Sequence, residues 1–211
     1  MRADARENRD RLLLAARHVF AAQGPEAPLE DIARPAGVGI ATLYRRFPDR
    51  ASLMRAVALD VWRRMAHEAH LALAEEPDPY AALVCYMHRA LDLRIAAVMP
   101  VIAGQLPKED EELNWVRDES AAAMQQLVDR AQAAGALRLD VTAGDIGLLL
   151  VRLSRPYVSP FPHNLDVQLA HRQLDLLIDG LRHRSAPQAL KLPGPAMTLA
   201  DLMMLSPGGE H

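Results

Sequence analysis

Thr42, Tyr44, Arg45 and Arg46 crowd into the run Gly-Val-Gly-Ile-Ala-Thr-Leu-Tyr-Arg-Arg-Phe-Pro-Asp-Arg at positions 37–50. Their chemistry is that of reading and gripping a polyanion. A threonine hydroxyl donates to a base or a phosphate, and its methyl can meet a thymine methyl. A tyrosine hydroxyl suits a phosphate oxygen. Arg45 is the candidate for base contact, since a guanidinium binds guanine O6 and N7 together. Arg46 and Arg50 are assigned to phosphates, Arg50 at the start of a following helix whose free N–H groups also favour anions. Gly39, Ile40 and Ala41 complete the same surface, the last two offering only apolar contact. Val38, Leu43 and Phe47 form the opposite, buried side, and Pro48 helps stop the segment.

Residues of this kind need a rigid element to present them, and the flanks provide one. Leu12, Leu13, Ala16, Val19 and Phe20 recur at helical spacing, predicting an amphipathic helix over 8–23 with Gly24 as its C-terminal cap. Pro28, followed by Glu30 and Asp31, marks the start of a second helix. Pro35 shortens it, because proline disfavours α geometry in the residue before it. Asp49 is an N-cap for a long helix bearing Leu53, Val57, Val61 and Met65. A long helix, a short one, a turn, a second short helix and a long helix make a helix-turn-helix unit, whose second short helix enters a major groove.

Residues 8–65 resemble the DNA-binding domain of the tetracycline-repressor (TetR) family of bacterial regulators. The resemblance rests on Ala15-Ala16, Phe20, Gly24, Ile32-Ala33, Ala36-Gly37-Val38, Thr42-Leu43-Tyr44, Phe47 and Arg50. The chain departs from the usual pattern at Ala27, Gly39 and Ala41, where a capping Thr or Ser, a Ser and a Gly are common. The resemblance implies an all-α homodimer. An N-terminal three-helix helix-turn-helix domain would be followed by a larger helical domain for ligand binding and dimerisation, in which a small molecule weakens operator binding.

Composition agrees with such a fold. Half of the 211 residues are apolar, aromatics are 4%, and alanine is abundant, which favours helix. No run of eighteen apolar residues suggests a membrane span, and the charged N-terminus lacks an apolar signal core. The one cysteine forbids an intramolecular disulfide, and a cytoplasmic location is expected. The net charge of −3 hides a polarity. Residues 1–64 carry twelve arginines against eight acids, a surplus of +4, leaving −7 on the remainder. A basic end can meet phosphate while the acidic remainder is repelled.

Beyond residue 65 the pattern is helical. Apolar stripes run from Asp78 to about Val98, from the acidic cluster at Glu109–Glu112 to Gly135, over 143–155 behind a Thr142/Asp145 capping box, and over 164–184. The expected division is 1–50 for DNA binding with the start of the connecting helix, 51–184 for ligand binding and dimerisation, and 185–211 as a Pro/Gly-rich tail. By the resemblance, Trp62, Met65, Met87, Leu91, Trp115 and Met124 line the ligand pocket, though each could equally be ordinary core. Ile146, Leu149, Leu150 and Leu153, with Leu174, Leu177, Ile178 and Leu181, are the stripes that would pair two subunits in a four-helix bundle. Periodicity does not separate that role from packing on their own domain.

No catalytic set is present: neither a Gly-x-Ser-x-Gly elbow nor a phosphate-binding glycine loop nor a dinucleotide fingerprint. His67 and His70 lie three apart on one helix, too little for a metal site, and no cofactor is expected. Cys85 fits a small core side chain. The reading is a ligand-responsive, dimeric regulator, most simply a repressor, whose partners are a double-stranded operator and a small-molecule effector. The alternative is a small helical metal-binding protein or enzyme with a vestigial DNA-binding domain.

Overall fold

Glycines in the left-handed region punctuate the helices of the computed structural model. The structure describes residues 2–93, 97–155 and 163–182, together with 192–194, 196 and 198. Nine α-helices lie in these stretches: α1 Arg2–Gln23, α2 Leu29–Ala33, α3 Ile40–Arg46, α4 Arg50–Glu75, α5 Pro79–Asp92, α6 Met99–Ile102, α7 Glu111–Ala133, α8 Ala143–Leu153 and α9 His163–Leu181. Among the described residues the only β pairing is an isolated bridge between Leu137 and Arg182, so the fold is all-α. Helix α1 begins at Arg2, six residues before the expected start at residue 8, in a polar segment that periodicity does not register.

The chain divides into two compact units. One holds residues up to Trp62 together with Val98–Arg117; the other holds Arg63–Ala97 and the described residues from Asp118 onward. Helices α4 and α7 each contribute one part to each unit.

In the first unit, α1 packs on α2 and α2 on α3. Leu12, Leu13, Phe20, Ile32, Leu43 and Leu53 are fully buried. Each such side chain contributes about 1.5–3 kcal/mol by leaving water. In the second unit, α5, α8 and α9 pack on one another. Its core joins Leu83, Tyr86, Met87 and Leu91 to Met124, Leu127, Ile146, Leu150, Leu174 and Ile178.

The caps were readable in advance. Gly24, at φ +92°, ends α1 with its N–H on Phe20 O at 2.9 Å. Ser52 N–H donates to Asp49 Oδ1 at 2.7 Å, which fixes the start of α4. Leu113 N–H donates to Asp110 Oδ1 at 3.0 Å ahead of α7. The Thr142/Asp145 box is closed in both directions, at 3.1 Å and 2.8 Å. Pro28 is the N-cap of α2 rather than its first residue, and neither it nor Gly39 before α3 provides a side-chain cap. The segment expected to run helically from Asp78 to about Val98 ends earlier, with α5 closing at Asp92; Ile95 lies outside the described residues. Most of the Pro/Gly-rich tail expected over 185–211 also lies outside them.

Candidate nucleic-acid interface

A seven-residue helix such as α3 does not hold itself together in water. Three things set it in place. The first is the turn before it. Val38 N–H donates to Ala33 O at 3.1 Å and Gly37 N–H to Arg34 O at 3.1 Å, the paired bonds of a Schellman closure. Gly37 takes the left-handed φ of +67° that this closure requires. The second is burial of Leu43 completely and of Phe47 nearly so, with Val38 half-buried. The third is Arg50. Its guanidinium donates to Pro25 O at 2.8 Å and Ala27 O at 2.6 Å, with Glu26 at 3.9 Å. It thereby ties the α1–α2 connection to the first turn of α4.

The outward face of α3 carries what the sequence placed there. Tyr44 is 47% exposed, and Gly39, Ala41, Arg45 and Arg46 are exposed. Ile40 and Thr42 are half-buried. Two arginines therefore stand in the last turn of a helix with a phenol beside them. Arg50, expected as a phosphate ligand, has its Nη1 committed to two backbone carbonyls. That role had no signal in the sequence, since the acceptors lie 23 and 25 residues upstream.

Around this platform the first unit is braced by ion pairs. Arg17 and Asp60 meet at 3.3 Å with little exposure on either side. Arg55 holds Asp110 through two bonds, Nε to Oδ2 at 2.5 Å and Nη2 to Oδ1 at 3.0 Å, and Glu112 at 2.7 Å. Hydrogen bonds from the Arg55 side chain and the Leu113 N–H hold the Asp110 carboxyl below the usual carboxylate range. The same carboxylates, Asp110 foremost, raise the Arg55 guanidinium above its ordinary value.

The residues assigned to a ligand pocket scatter more than expected. Met87, Leu91 and Met124 share the core of the second unit. Met65 is half-buried in that unit, while Trp62 and Trp115 belong to the first. Trp115 is 65% exposed. One residue escaped the sequence reading. Tyr86 is wholly buried in the second core, and its hydroxyl has no hydrogen-bond partner among the described residues. Burial alone pushes its phenol well above the ordinary tyrosine value, so it stays a neutral donor.

The stripes assigned to a dimer interface divide into two sets. Ile146, Leu150, Leu174 and Ile178 are buried in the protomer's own core, so the periodicity that singled them out is core periodicity. Leu153 and Leu181 pack partly against that core, Leu149 is half-buried, and Leu177 is 38% exposed. The outward stripe of α9 lies on other residues. Leu165 and Leu176 are 36% and 69% exposed, Leu169 is half-buried between them, and Gly180 follows one turn on. Among the described residues no group of three or more His, Cys, Asp or Glu side chains is placed to hold a metal, and His67 and His70 are exposed. No described helix is long and apolar enough to cross a membrane.

A helix-turn-helix ahead of a larger all-helical unit defines the class, and comparison with known proteins gives the family. Residues 12–57 match the family model "Bacterial regulatory proteins, tetR family", and residues 78–183 match "Transcriptional regulator SbtR-like, C-terminal domain". The TetR transcriptional regulator SCO0520 from Streptomyces coelicolor is similar in structure, at 33% identity and TM-score 0.57, over 84% of this chain and 99% of that one. A TetR regulatory protein from Mycobacterium vanbaalenii is similar at 33% identity and TM-score 0.58, over 86% and 98%. The transcriptional repressor LfrR of Mycolicibacterium smegmatis shares 41% identity over 75 residues, 36% of this chain and 37% of LfrR. The chain spans about two fifths of the length of the curated relatives it matches. A crystal structure of LfrR in complex with proflavine has the same fold, at TM-score 0.58 and 24% identity over 81% of this chain and 96% of LfrR's. The protein belongs to the TetR family of bacterial transcriptional regulators.

Proposed function

We propose that the chain is a dimeric repressor that binds a palindromic operator through α3 and leaves it when a small molecule occupies its second unit. The observation that carries this reading is the outward face of α3: Thr42, Tyr44, Arg45 and Arg46 on a helix whose other side is buried. Arg45 contacts a base edge, while Tyr44 and Arg46 contact phosphates; Thr42, with Gly39, Ile40 and Ala41, lies against the groove. Arg50 is reassigned from phosphate contact to bracing the platform.

Two observations support a small-molecule effector in the second unit. Met87, Leu91 and Met124 give an apolar, adaptable lining. The unpartnered Tyr86 hydroxyl sits among them at a cost of about 1–3 kcal/mol unless something accepts its proton. An uncharged, largely apolar molecule with one acceptor fits. LfrR, a repressor of this fold, forms a complex with proflavine. Occupation shifts the population toward protomers whose recognition helices no longer fit successive grooves, with a coupling of about 1–3 kcal/mol. Pairing doubles the site read, with half-sites about 34 Å or a multiple apart. The exposed Leu165, Leu176 and Leu177 and the half-buried Leu169 of α9, with the half-buried Leu149 of α8, are the surface for that pairing.

Selection of bound sequences from a random duplex pool tests the whole reading. The expected result is an enriched inverted repeat. Enrichment of no sequence, or of a single unrepeated site, counts against it.

A further inference from the structure

Helices α5 and α9 are joined by a chain of four titratable side chains that the DNA-binding reading does not use. His88 Nδ1 lies 2.8 Å from His171 Nδ1. The outer nitrogens each face a carboxylate: His88 Nε2 lies 3.1 Å from Asp175 Oδ1, and His171 Nε2 lies 2.7 Å from Asp92 Oδ1. The two rings are within 7° of parallel with centroids 5.1 Å apart. That separation is as large as two imidazole radii and the nitrogen contact allow. The rings therefore do not overlap face to face. They meet head to head in nearly one plane, each Nδ1 lone-pair direction aimed at the other.

Proton counting decides what joins them. An ionised carboxylate only accepts, so in the state where both outer contacts are hydrogen bonds both Nε2 atoms carry hydrogens. If the rings held nothing more, two bare lone pairs would face each other at 2.8 Å. In that state a cation has to lie between them. A metal ion at the midpoint would be about 1.4 Å from each nitrogen, against about 2.0–2.1 Å for a zinc–nitrogen bond. A shared proton fits, since 2.8 Å is an ordinary hydrogen-bond distance.

We propose that His88 and His171 form a proton-bridged pair, three hydrogens on four ring nitrogens flanked by Asp92 and Asp175, that clamps α5 to α9 and makes the second unit sensitive to pH. Adding a second excess proton sets two N–H groups against each other and opens the contact. Removing the shared proton leaves one hydrogen per ring. One Nε2 must then lose its carboxylate, and the longer link to the more exposed Asp175 is the one given up.

The other charges on the elements packed here are engaged or turned to water. Arg89 of α5 is held by Glu75 and Glu68 of α4. Asp145 of α8 is closed in its capping box, while Arg152 of α8 and Arg172 and Asp179 of α9 are exposed. Cys85, one turn before His88, is half-buried. The clamp stands whether or not the chain binds an effector.

The test uses full-length protein labelled with 15N-histidine, with ring nitrogens followed across a pH titration. The expected result is two Nε2 atoms of protonated type together with two Nδ1 atoms that share an intermediate shift and titrate in step. Two rings that titrate independently, each in its own tautomer, would overturn the proposal. Melting temperatures of His88→Gln, His171→Gln and the double variant are the second readout. The loss relative to wild type should peak at intermediate pH in each single variant, and the loss in the double should be smaller than the sum of the two, because either substitution alone removes the shared proton. A loss that is constant with pH, or additive in the double variant, would also overturn it.

Discussion

Arg45, Arg46 and Arg50 lie within six positions of one another, and the structure gives them different work. Arg45 and Arg46 are exposed on α3, whereas Arg50 directs its Nη1 at Pro25 O and Ala27 O. Three outcomes separate them. Arg45→Ala should cost about 1–3 kcal/mol on the selected operator and relax preference at one base position. Arg46→Ala should weaken all duplexes alike and flatten the slope of log affinity against log salt by about one unit. Arg50→Ala should leave that slope unchanged and instead lower stability by about 1.5–3 kcal/mol, through lost bonds to a charged donor. Fluorescence anisotropy across a salt series, with thermal melts beside it, reads all three; a shallower slope for Arg50→Ala would restore its phosphate role. Tyr86 is tested by a single atom. Tyr86→Phe removes a buried hydroxyl with no partner, so the fold should be as stable or more so, while the effector concentration needed to release DNA should rise. A variant that melts lower and still responds normally would make the hydroxyl structural.

At the level of elements, ends were legible and faces only partly so. Gly24, Asp49, Asp110, Thr142 with Asp145, and Gly135 all act locally, within four residues, so their types announce their roles. The recognition helix was equally open to reading, because Leu43 and Phe47 against Tyr44, Arg45 and Arg46 leave one way to orient it. The stripes of α8 and α9 were not. Both helices are apolar on more than one side, and the period that marks Ile146, Leu150, Leu174 and Ile178 as a face is silent on whether that face meets the protomer or its copy. The exposure of Trp115 was hidden for a related reason, since a large aromatic on a helix says nothing about the side it faces. Long-range polar pairs gave no signal at all. Arg55 and Asp110 are such a pair, and they make the first unit acid-sensitive. Asp110's carboxyl in the folded protein lies below its unfolded value, so its contribution is complete above the ordinary carboxylate range and is lost as pH falls through the lowered value. Asp110→Asn should therefore melt below wild type near neutrality, and the gap should close on acidification. A gap that persists at low pH would show that the carboxylate's charge is not what Arg55 needs.

For the molecule as a whole, charge and symmetry have to work together. An N-terminal surplus of basic residues and an acidic remainder orient one chain on DNA, but a seven-residue helix reads only a few base pairs. Specificity on the scale of a genome needs a second copy, and the protomer leaves an apolar stripe without cover. Leu165 and Leu176 stand 36% and 69% exposed on α9, with Leu177 beside them and the exposed Gly180 allowing close backbone approach. A single exposed leucine is unremarkable, whereas a row of them on one helix marks a surface that meets a partner. Leu176→Glu is the decisive substitution, because that side chain lies outside the protomer's core and its loss should not unfold the chain. Sedimentation should show wild type as a dimer and the variant as a folded monomer with an unchanged helical signal. The monomer should still bind a duplex carrying one half-site about as weakly as wild type does, yet lose the gain that wild type draws from two half-sites in the inverted repeat. If the variant stays dimeric, pairing runs through another face. If it becomes monomeric and keeps full affinity for the repeat, α3 does not depend on two-fold pairing, and the link drawn here between the stripe on α9 and operator recognition is broken.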